Sequence, residues 1–232
     1  MKKTFNIALF SYHFPHKKTY NFIEHLLKAK YKISLIISAE FVEIELPKSK
    51  IKHIKNLNSE DLAEEHNIPY EIAPHNSSRC LELLNLYKIN LGIISGARII
   101  NANIINAIKF GVLNFHPAML PLVRGLDSVL WSISRNIPIG VTAHLINDKI
   151  DLGRLIFQEQ IEIDSNDNLD SLIEKNYQLQ LKLIPIALDL LKNKDYFALI
   201  NGGKYNSRMS TSQKVNTLSV LNKYIKNHAK KN

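Results

Sequence analysis

The stretch LGIISGARIINANIINAIKFGVLNFHP, residues 91–117, places two short apolar runs on either side of a helical segment. Leu91–Ser95 is fully apolar until its last residue and has the length of a buried strand. Asn101–Phe110 reads as a helix, and Val112–Phe115 as the next strand. A strand, a helix of this length and a second strand imply a right-handed crossover between parallel neighbours. Ligands of such sheets bind at the carboxyl ends of the strands, near a reversal of strand order. Both strands end in chemistry: Ser95-Gly96-Ala97-Arg98 follows the first, and Asn114-Phe115-His116-Pro117 closes the second.

Outward from this unit the same alternation continues. Upstream, Phe5–Phe10, Ile33–Ser38 and Pro69–Ile72 read as strands. Thr19–Lys30 reads as a helix with Phe22, Ile23, Leu26 and Leu27 on one face. Ser59 is placed to cap a short helix running to His66, Ser77–Lys88 is helical, and residues 42–58 read as a surface loop. Downstream come a loop rich in Pro and Gly over 117–125 and a helix near Asp127–Ser134. Two strands follow, around Gly140–Ile146 and Arg154–Ile163, then a long helix at Leu169–Leu191. The expected fold is α/β: a Rossmann-like, mostly parallel sheet with helices on both faces and a short C-terminal extension. Residues 1–195 are expected to form the catalytic domain. Residues 196–232 are the extension, with one short helix over Val215–Ile225 that serves dimerisation or the substrate side.

Composition narrows the function. Among 232 residues, 45% are hydrophobic, enough for a full core, and Cys80 is the single cysteine. One thiol allows neither an internal disulfide nor a cysteine zinc cage and suits a reducing cytoplasm. MKKTFNIALF, residues 1–10, is too short in its apolar part for a signal peptide, and no run reaches the roughly 18 apolar residues of a membrane span. The excess of 30 Lys+Arg over 21 Asp+Glu gives +9 and favours a phosphate-bearing partner. Lys and Asn are frequent throughout, several of the charges lie between Lys223 and Lys231, and no RNA-reading motif is present, so nucleic acid is not the expected partner. His13, His16 and His116 lack the spacing of a metal site, and none is expected. Neither the G-x-S-x-G elbow of a serine hydrolase nor a G-x-G-x-x-G turn for a nicotinamide cofactor occurs.

Four elements carry the chemistry: Asn114-x-His116-Pro117, Leu120-Pro121-x-x-Arg124-Gly125, Gly140-Val141-Thr142-x-His144 and Asp151-x-Gly153. Asn114 and His116 are two apart on an extended segment, so both side chains leave the same face. Asp151 follows the next strand in a turn and is placed to return to the same edge. A carboxamide, an imidazole and a carboxylate together suit acyl transfer onto an amine. The Asn114 N–H and a donor-form His116 can stabilise an oxyanion, while Asp151 orients the imidazole and helps remove the amine proton. No Ser, Cys or Lys nucleophile is required.

With GVLNFHPAMLP, VRG, GVTAHLIND and KIDLGRLI in this order, the chain resembles the N10-formyltetrahydrofolate-dependent formyltransferase family, most closely its nucleotide-sugar N-formyltransferases. The resemblance is clear from about Leu91 to Ile163. It implies the formyltransferase fold, N10-formyltetrahydrofolate as co-substrate, and Asn114, His116 and Asp151 as catalytic residues. It implies folate contacts from Gly96, Ala97, Arg98, Ile99 and Ile100 around the pterin ring, from Leu120 and Pro121, and from Thr142 near a catalytic water. Ala118 replaces a serine common in relatives, and Arg154 follows the Asp-x-Gly motif.

The acceptor is read by elimination. The purine branch resembles G-x-G-S-N after the first strand, where this chain has Ser11-Tyr12-His13-Phe14-Pro15-His16. The tRNA branch carries an RNA-binding domain of about a hundred residues, a common small-domain size, and about forty follow the long helix here. Arg124-Gly125 and Trp131 resemble the tRNA and sugar branches. The expected acceptor is therefore a nucleotide-linked amino sugar such as dTDP-4-amino-4,6-dideoxyglucose. Its diphosphate would face His13, His16, Lys17, Lys18 and Arg124, with His144 also on the substrate side. A homodimer is expected. The alternatives are glycinamide ribonucleotide or another small amine, and, from a different class, a folate-binding relative without turnover.

Overall fold

A computed structural model describes residues 3–40, 58–194 and 197–230. By its contacts the chain divides into two compact units, Met1–Leu113 and Asn114–Asn232, the division falling inside a strand.

The first unit is the expected parallel sheet. β1 (Ile7–Tyr12), β2 (Ile33–Ala39), β3 (Tyr70–Ile72), β4 (Leu91–Ile94) and the start of β5 (Val112–His116) lie in the order β3-β2-β1-β4-β5, every pairing parallel. The crossovers are α1 (Lys17–Lys28), α2 (Ser59–Glu65), α3 (Ser78–Leu86) and α4 (Ala102–Ala107). The chain leaves β1 toward β2 and later returns to β4 on its other side, which makes the β1/β4 carboxyl ends the switch point. α1 forms because Phe22, Ile23 and Leu26 fall on one stripe, and all three are buried. Each contributes about 1.5–3 kcal/mol, and Phe22→Ala alone would cost about 3–5 kcal/mol. Asn58, not Ser59, caps α2: its side chain accepts from the Glu60 N–H, and Ser59 is the first helical residue. The expected loop at 42–58 lies outside the described residues except for that cap.

The second unit takes up the end of β5 and continues β5-β7-β8-β9, with β7 (Gly140–Leu145), β8 (Gly153–Gln160) and β9 (Leu199–Ile200). β7 and β8 form an antiparallel pair, and β9 adds antiparallel to Gly153–Arg154. A second small ladder pairs β6 (Arg124–Gly125), inside the Pro/Gly loop, with β10 (Tyr205–Asn206). α5 (Ser128–Ser134) and the long α6 (Leu169–Asn193) complete the body. Asn168 and Ser171 form a capping box that starts α6, and a stripe from Leu172 to Leu191 buries its inner face.

One expected helix over Val215–Ile225 is two helices, α7 (Thr211–Ser219) and α8 (Leu221–His228), broken at Val220. The apolar spacing spans both, but each turns a different side inward. Tyr224 and Ile225 enter a cluster with Ile133, Ile139, Ile163 and Leu172. The Tyr224 hydroxyl accepts from the Ile139 N–H at 3.1 Å and donates to the Ile137 carbonyl at 2.9 Å. No described helix is long and apolar enough to cross a membrane.

Candidate active site

β5 delivers Asn114 and His116, as the alternation of an extended strand requires. His116 is 4% exposed. Its Nδ1 lies 3.3 Å from Asp151 Oδ1, and its Nε2 lies 3.0 Å from the Val123 carbonyl. A carbonyl only accepts, so Nε2 carries a hydrogen here. Asp151 is held from its other side as well, because the Gly125 N–H donates to Oδ2 at 2.6 Å. The αL conformation of Asp151, with φ 51°, turns the carboxylate back onto β5. Two residues on, Gly153 has φ +117°, and a Cβ there would lie 2.0 Å from the Leu145 carbonyl oxygen. That is the physical content of Asp-x-Gly: the turn returning Asp151 to the site has no room for a side chain at its end.

His144 stands beside this pair rather than apart from it. It is fully buried on β7, with Nδ1 3.1 Å from the Leu152 carbonyl and Nε2 3.2 Å from Asn114 Nδ2. Burial pushes its pKa down to about 4, with positive charge on His116 acting the same way and Asp151 and the Leu152 carbonyl opposing. Of the residues expected on the substrate side, it is the one that meets the Asn114 amide.

Other residues singled out from the sequence are held by contacts within the chain. Thr142 is fully buried, and its hydroxyl serves the loop 118–120. It donates to the Ala118 carbonyl at 2.6 Å and accepts from the Leu120 N–H at 3.0 Å and from Gln158 Nε2 at 2.8 Å. Gln158 also reaches the Leu120 carbonyl at 2.6 Å, so Leu120 is braced by two polar side chains while its own side chain is 4% exposed. Thr142 and Leu120 therefore shape the loop 118–120, and Pro121 follows on that loop. Arg124 does not present its guanidinium to an outside phosphate. Nε and Nη2 donate to the Ile150 carbonyl at 3.2 and 2.7 Å, and Nη1 donates to the carbonyls of Gly202 and Gly203 at 3.1 and 2.9 Å. The fork ties the residue before Asp151 to the C-terminal segment.

That segment was the part sequence reading missed. Asn206 donates to the Arg124 carbonyl at 2.7 Å and accepts a short hydrogen bond from Arg135. Trp131 Nε1 donates to the Ser207 carbonyl at 3.0 Å, and the Met209 N–H to Asp127 Oδ2 at 2.9 Å. Residues 199–209 thus form a strap over the loop that carries Val123, Arg124 and Gly125. Gly202-Gly203 was the available signal of a turn there, but nothing in the sequence identified its partner.

In the first unit, the segment at Gly96 and the turn after β1 meet. A Cβ on Gly96 would lie 2.7 Å from the Tyr12 ring and 3.0 Å from the His16 ring, so only glycine lets the turn pack. Tyr12 and Phe14 stack at 5.0 Å, and His16 packs edge-on to both. His16 bonds Thr19 through Nδ1 at 2.8 Å, and burial together with nearby Lys18 pushes its pKa down to about 4. A neutral ring in an aromatic cluster is not the cationic phosphate partner expected at His16. His13 faces Tyr70 at 3.1 Å and Glu60 at 4.0 Å. Lys17 is exposed in the first turn of α1, and the Lys18 ammonium lies 5.2 Å from the centre of the Phe22 ring, pushed down to about 8 by burial. Of the segment expected around the pterin ring, Ala97 is half-buried, Arg98 exposed and Ile99 64% exposed, whereas Ile100 belongs to the core at 3%. Asn76 braces this segment, donating to the Ile99 carbonyl at 2.8 Å and accepting from the Asn101 N–H at 2.9 Å.

The family model described as formyl transferase matches residues 48–188. A phosphoribosylglycinamide formyltransferase of Bacillus subtilis (strain 168) is 29% identical over 113 residues, 48% of this chain and 58% of that protein. A methionyl-tRNA formyltransferase of Prochlorococcus marinus (strain MIT 9312) is 37% identical over 101 residues, 43% of this chain and 31% of that protein. The chain therefore spans well under two thirds of the length of either curated relative. Among solved structures, a sugar N-formyltransferase from Shewanella sp FDAARGOS_354 shares the fold at a TM-score of 0.64 and 18% identity, over 92% of this chain and 86% of that one.

Proposed function

We propose that this chain, which belongs to the formyl transferase family, transfers a formyl group from N10-formyltetrahydrofolate to the amine of a nucleotide-linked amino sugar. The observation that carries the reaction is the wall formed by Asn114, His116 and Asp151, with Asp151 against His116 Nδ1 and Asn114 two residues along the same strand. The amine attacks the formyl carbon directly. A new C–N bond forms, the bond to N10 breaks, and N10 takes a proton. The Asn114 N–H and His116 Nε2–H stabilise the developing oxyanion, the formyl oxygen taking the place of the Val123 carbonyl at Nε2. Asp151 holds the imidazole and receives the amine proton, directly or through it. The loop of Leu120 and Pro121 lies on the folate side in this reading.

The sugar acceptor draws support from the turn after β1, where Tyr12 and Phe14 stack with His16 edge-on to both, in the place where a glycine loop would cradle a monophosphate. The fold likeness to the Shewanella sugar enzyme over 92% of this chain points the same way. His13 and Lys17 remain the diphosphate candidates in this reading. The enzyme works in the cytoplasm as a homodimer, on a dTDP-sugar destined for surface polysaccharide. Residues 1–195 carry the chemistry and 196–232 support it. The second reading, glycinamide ribonucleotide as acceptor, is favoured by the Bacillus subtilis match.

The test is tetrahydrofolate release from N10-formyltetrahydrofolate against dTDP- and UDP-linked amino sugars, glycinamide ribonucleotide and methionyl-tRNA. Turnover with one amino sugar alone supports the proposal. Turnover with glycinamide ribonucleotide replaces it by the second reading. Formyl-folate binding without turnover on any acceptor would identify a binding relative.

A further inference from the structure

A buried histidine on a strand is ordinarily a satisfied core residue, and His144 is fully buried. Its two partners, however, constrain the catalytic amide. The Leu152 carbonyl, 3.1 Å from Nδ1, can only accept, so Nδ1 carries the ring's hydrogen. Burial keeps the ring neutral near pH 7, since its pKa falls to about 4. A neutral ring protonated at Nδ1 has a bare lone pair at Nε2, and that atom lies 3.2 Å from the Asn114 amide. Only the amide's nitrogen can face it, because its oxygen would set lone pair against lone pair. The Asn114 carboxamide is thus held in one of its two orientations. One N–H is bonded to His144, and the second is directed by the planarity of the group.

The strand pairing is irregular at the same place. Ala143 pairs with Phe157 but His144 pairs with Leu155, so Ile156 is an extra residue on β8. Bulges of this kind re-aim a side chain beside active sites. The residue at 144 follows the bulge, and its backbone neighbour across the turn, Leu152, supplies the carbonyl that sets its tautomer.

We infer that His144 is a positioning residue for formyl transfer, a fixed hydrogen-bond acceptor that orients Asn114 with its NH2 group toward the reacting oxygen. The inference rests on the proposed function, in which Asn114 touches that oxygen. His144 itself touches no substrate, so its effects run entirely through Asn114.

The experiment is a double-mutant cycle with a spectroscopic control. His144→Leu removes the acceptor at similar volume, His144→Gln offers an amide oxygen near the place of Nε2, and each is made with and without Asn114→Ala. His144→Leu is expected to lower kcat about 10-fold, the order a lost orienting contact carries, with both KM values within about twofold. His144→Gln recovers most of that loss. In the Asn114→Ala background His144→Leu changes kcat by less than about twofold, because neighbours acting through one group are not additive. Nitrogen-15 shifts of the wild-type imidazole should report His144 protonated at Nδ1 and bare at Nε2. An undiminished His144→Leu effect on top of Asn114→Ala overturns the inference, as does a ring protonated at Nε2. A glutamine variant that is folded by its thermal midpoint yet no better than leucine does the same. Failure of the underlying function looks different: Asn114→Ala alone would then retain near-normal turnover.

Discussion

Replacing Arg124 by Met keeps most of the side chain's stem and removes the guanidinium. Four N–H contacts to the carbonyls of Ile150, Gly202 and Gly203 disappear. A hydrogen bond from a charged donor is worth about 1.5–3 kcal/mol when buried. Arg124 is half-exposed and water replaces much of what is lost, so a total of about 2–3 kcal/mol is the reasoned cost. For a protein of this size that corresponds to a fall in Tm of roughly 4–10 °C. Function should fall too, because the released Ile150 carbonyl precedes Asp151, whose αL backbone at φ 51° depends on its surroundings. We expect kcat to drop about 10-fold, as for a small misplacement of a catalytic group, while KM for the acceptor stays within threefold. Thermal unfolding followed by circular dichroism and steady-state turnover on one preparation give all three numbers. The opposite pattern, with KM raised tenfold or more and Tm and kcat unchanged, would refute the reasoning and return Arg124 to the role of diphosphate partner.

Asn114→Ala and Asp151→Asn should each lower kcat by about 100-fold or more with the fold intact; near-normal turnover in either sinks that residue's assigned role. Stability should fall as pH drops from about 6.5 to about 4. His144 and His16 both have pKa values lowered from 6.5 to about 4, so the unfolded chain gains protons in this window that the folded one refuses. For the fully buried His144 the loss approaches about 3 kcal/mol, and His144→Gln should flatten that part of the urea-midpoint curve; an unchanged slope would count against a neutral buried ring. Tyr224→Phe leaves the Ile139 N–H and Ile137 carbonyl without their hydroxyl, at a cost of about 2–3 kcal/mol in urea unfolding and no change in kcat. A loss under about 0.5 kcal/mol would show that water reaches both groups.

What could be read from the sequence was what depends on local period. The five parallel strands announced themselves as apolar runs between helical stripes, and the two-residue spacing of Asn114 and His116 told that both face one way. Asp151-x-Gly153 was legible as a turn returning to that edge. The contacts that finish the site carry no period. Arg124 meets Gly202 and Gly203, and Asn206 meets the Arg124 carbonyl, across about eighty residues of chain. Charge misled for the same reason. A guanidinium beside Gly reads as a phosphate ligand, and His16 reads as a cation, until carbonyls and aromatic rings are seen around them. Thr142 and His144 alternate on one strand, and only the bonds to Leu120 and Asn114 separate a loop brace from an amide clamp.

The strap also sets a timetable. During synthesis the loop bearing Val123, Arg124 and Gly125 leaves the ribosome long before Gly202, Gly203 and Asn206 exist to hold it. At roughly 5–20 residues per second that gap lasts several seconds. A nascent chain stalled before the strap emerges would have β5, β7 and Asp151 already made, yet the carboxylate would lack the anchored fork behind it. On the proposed function, full formyl-transfer activity would therefore await the last short strands to be made.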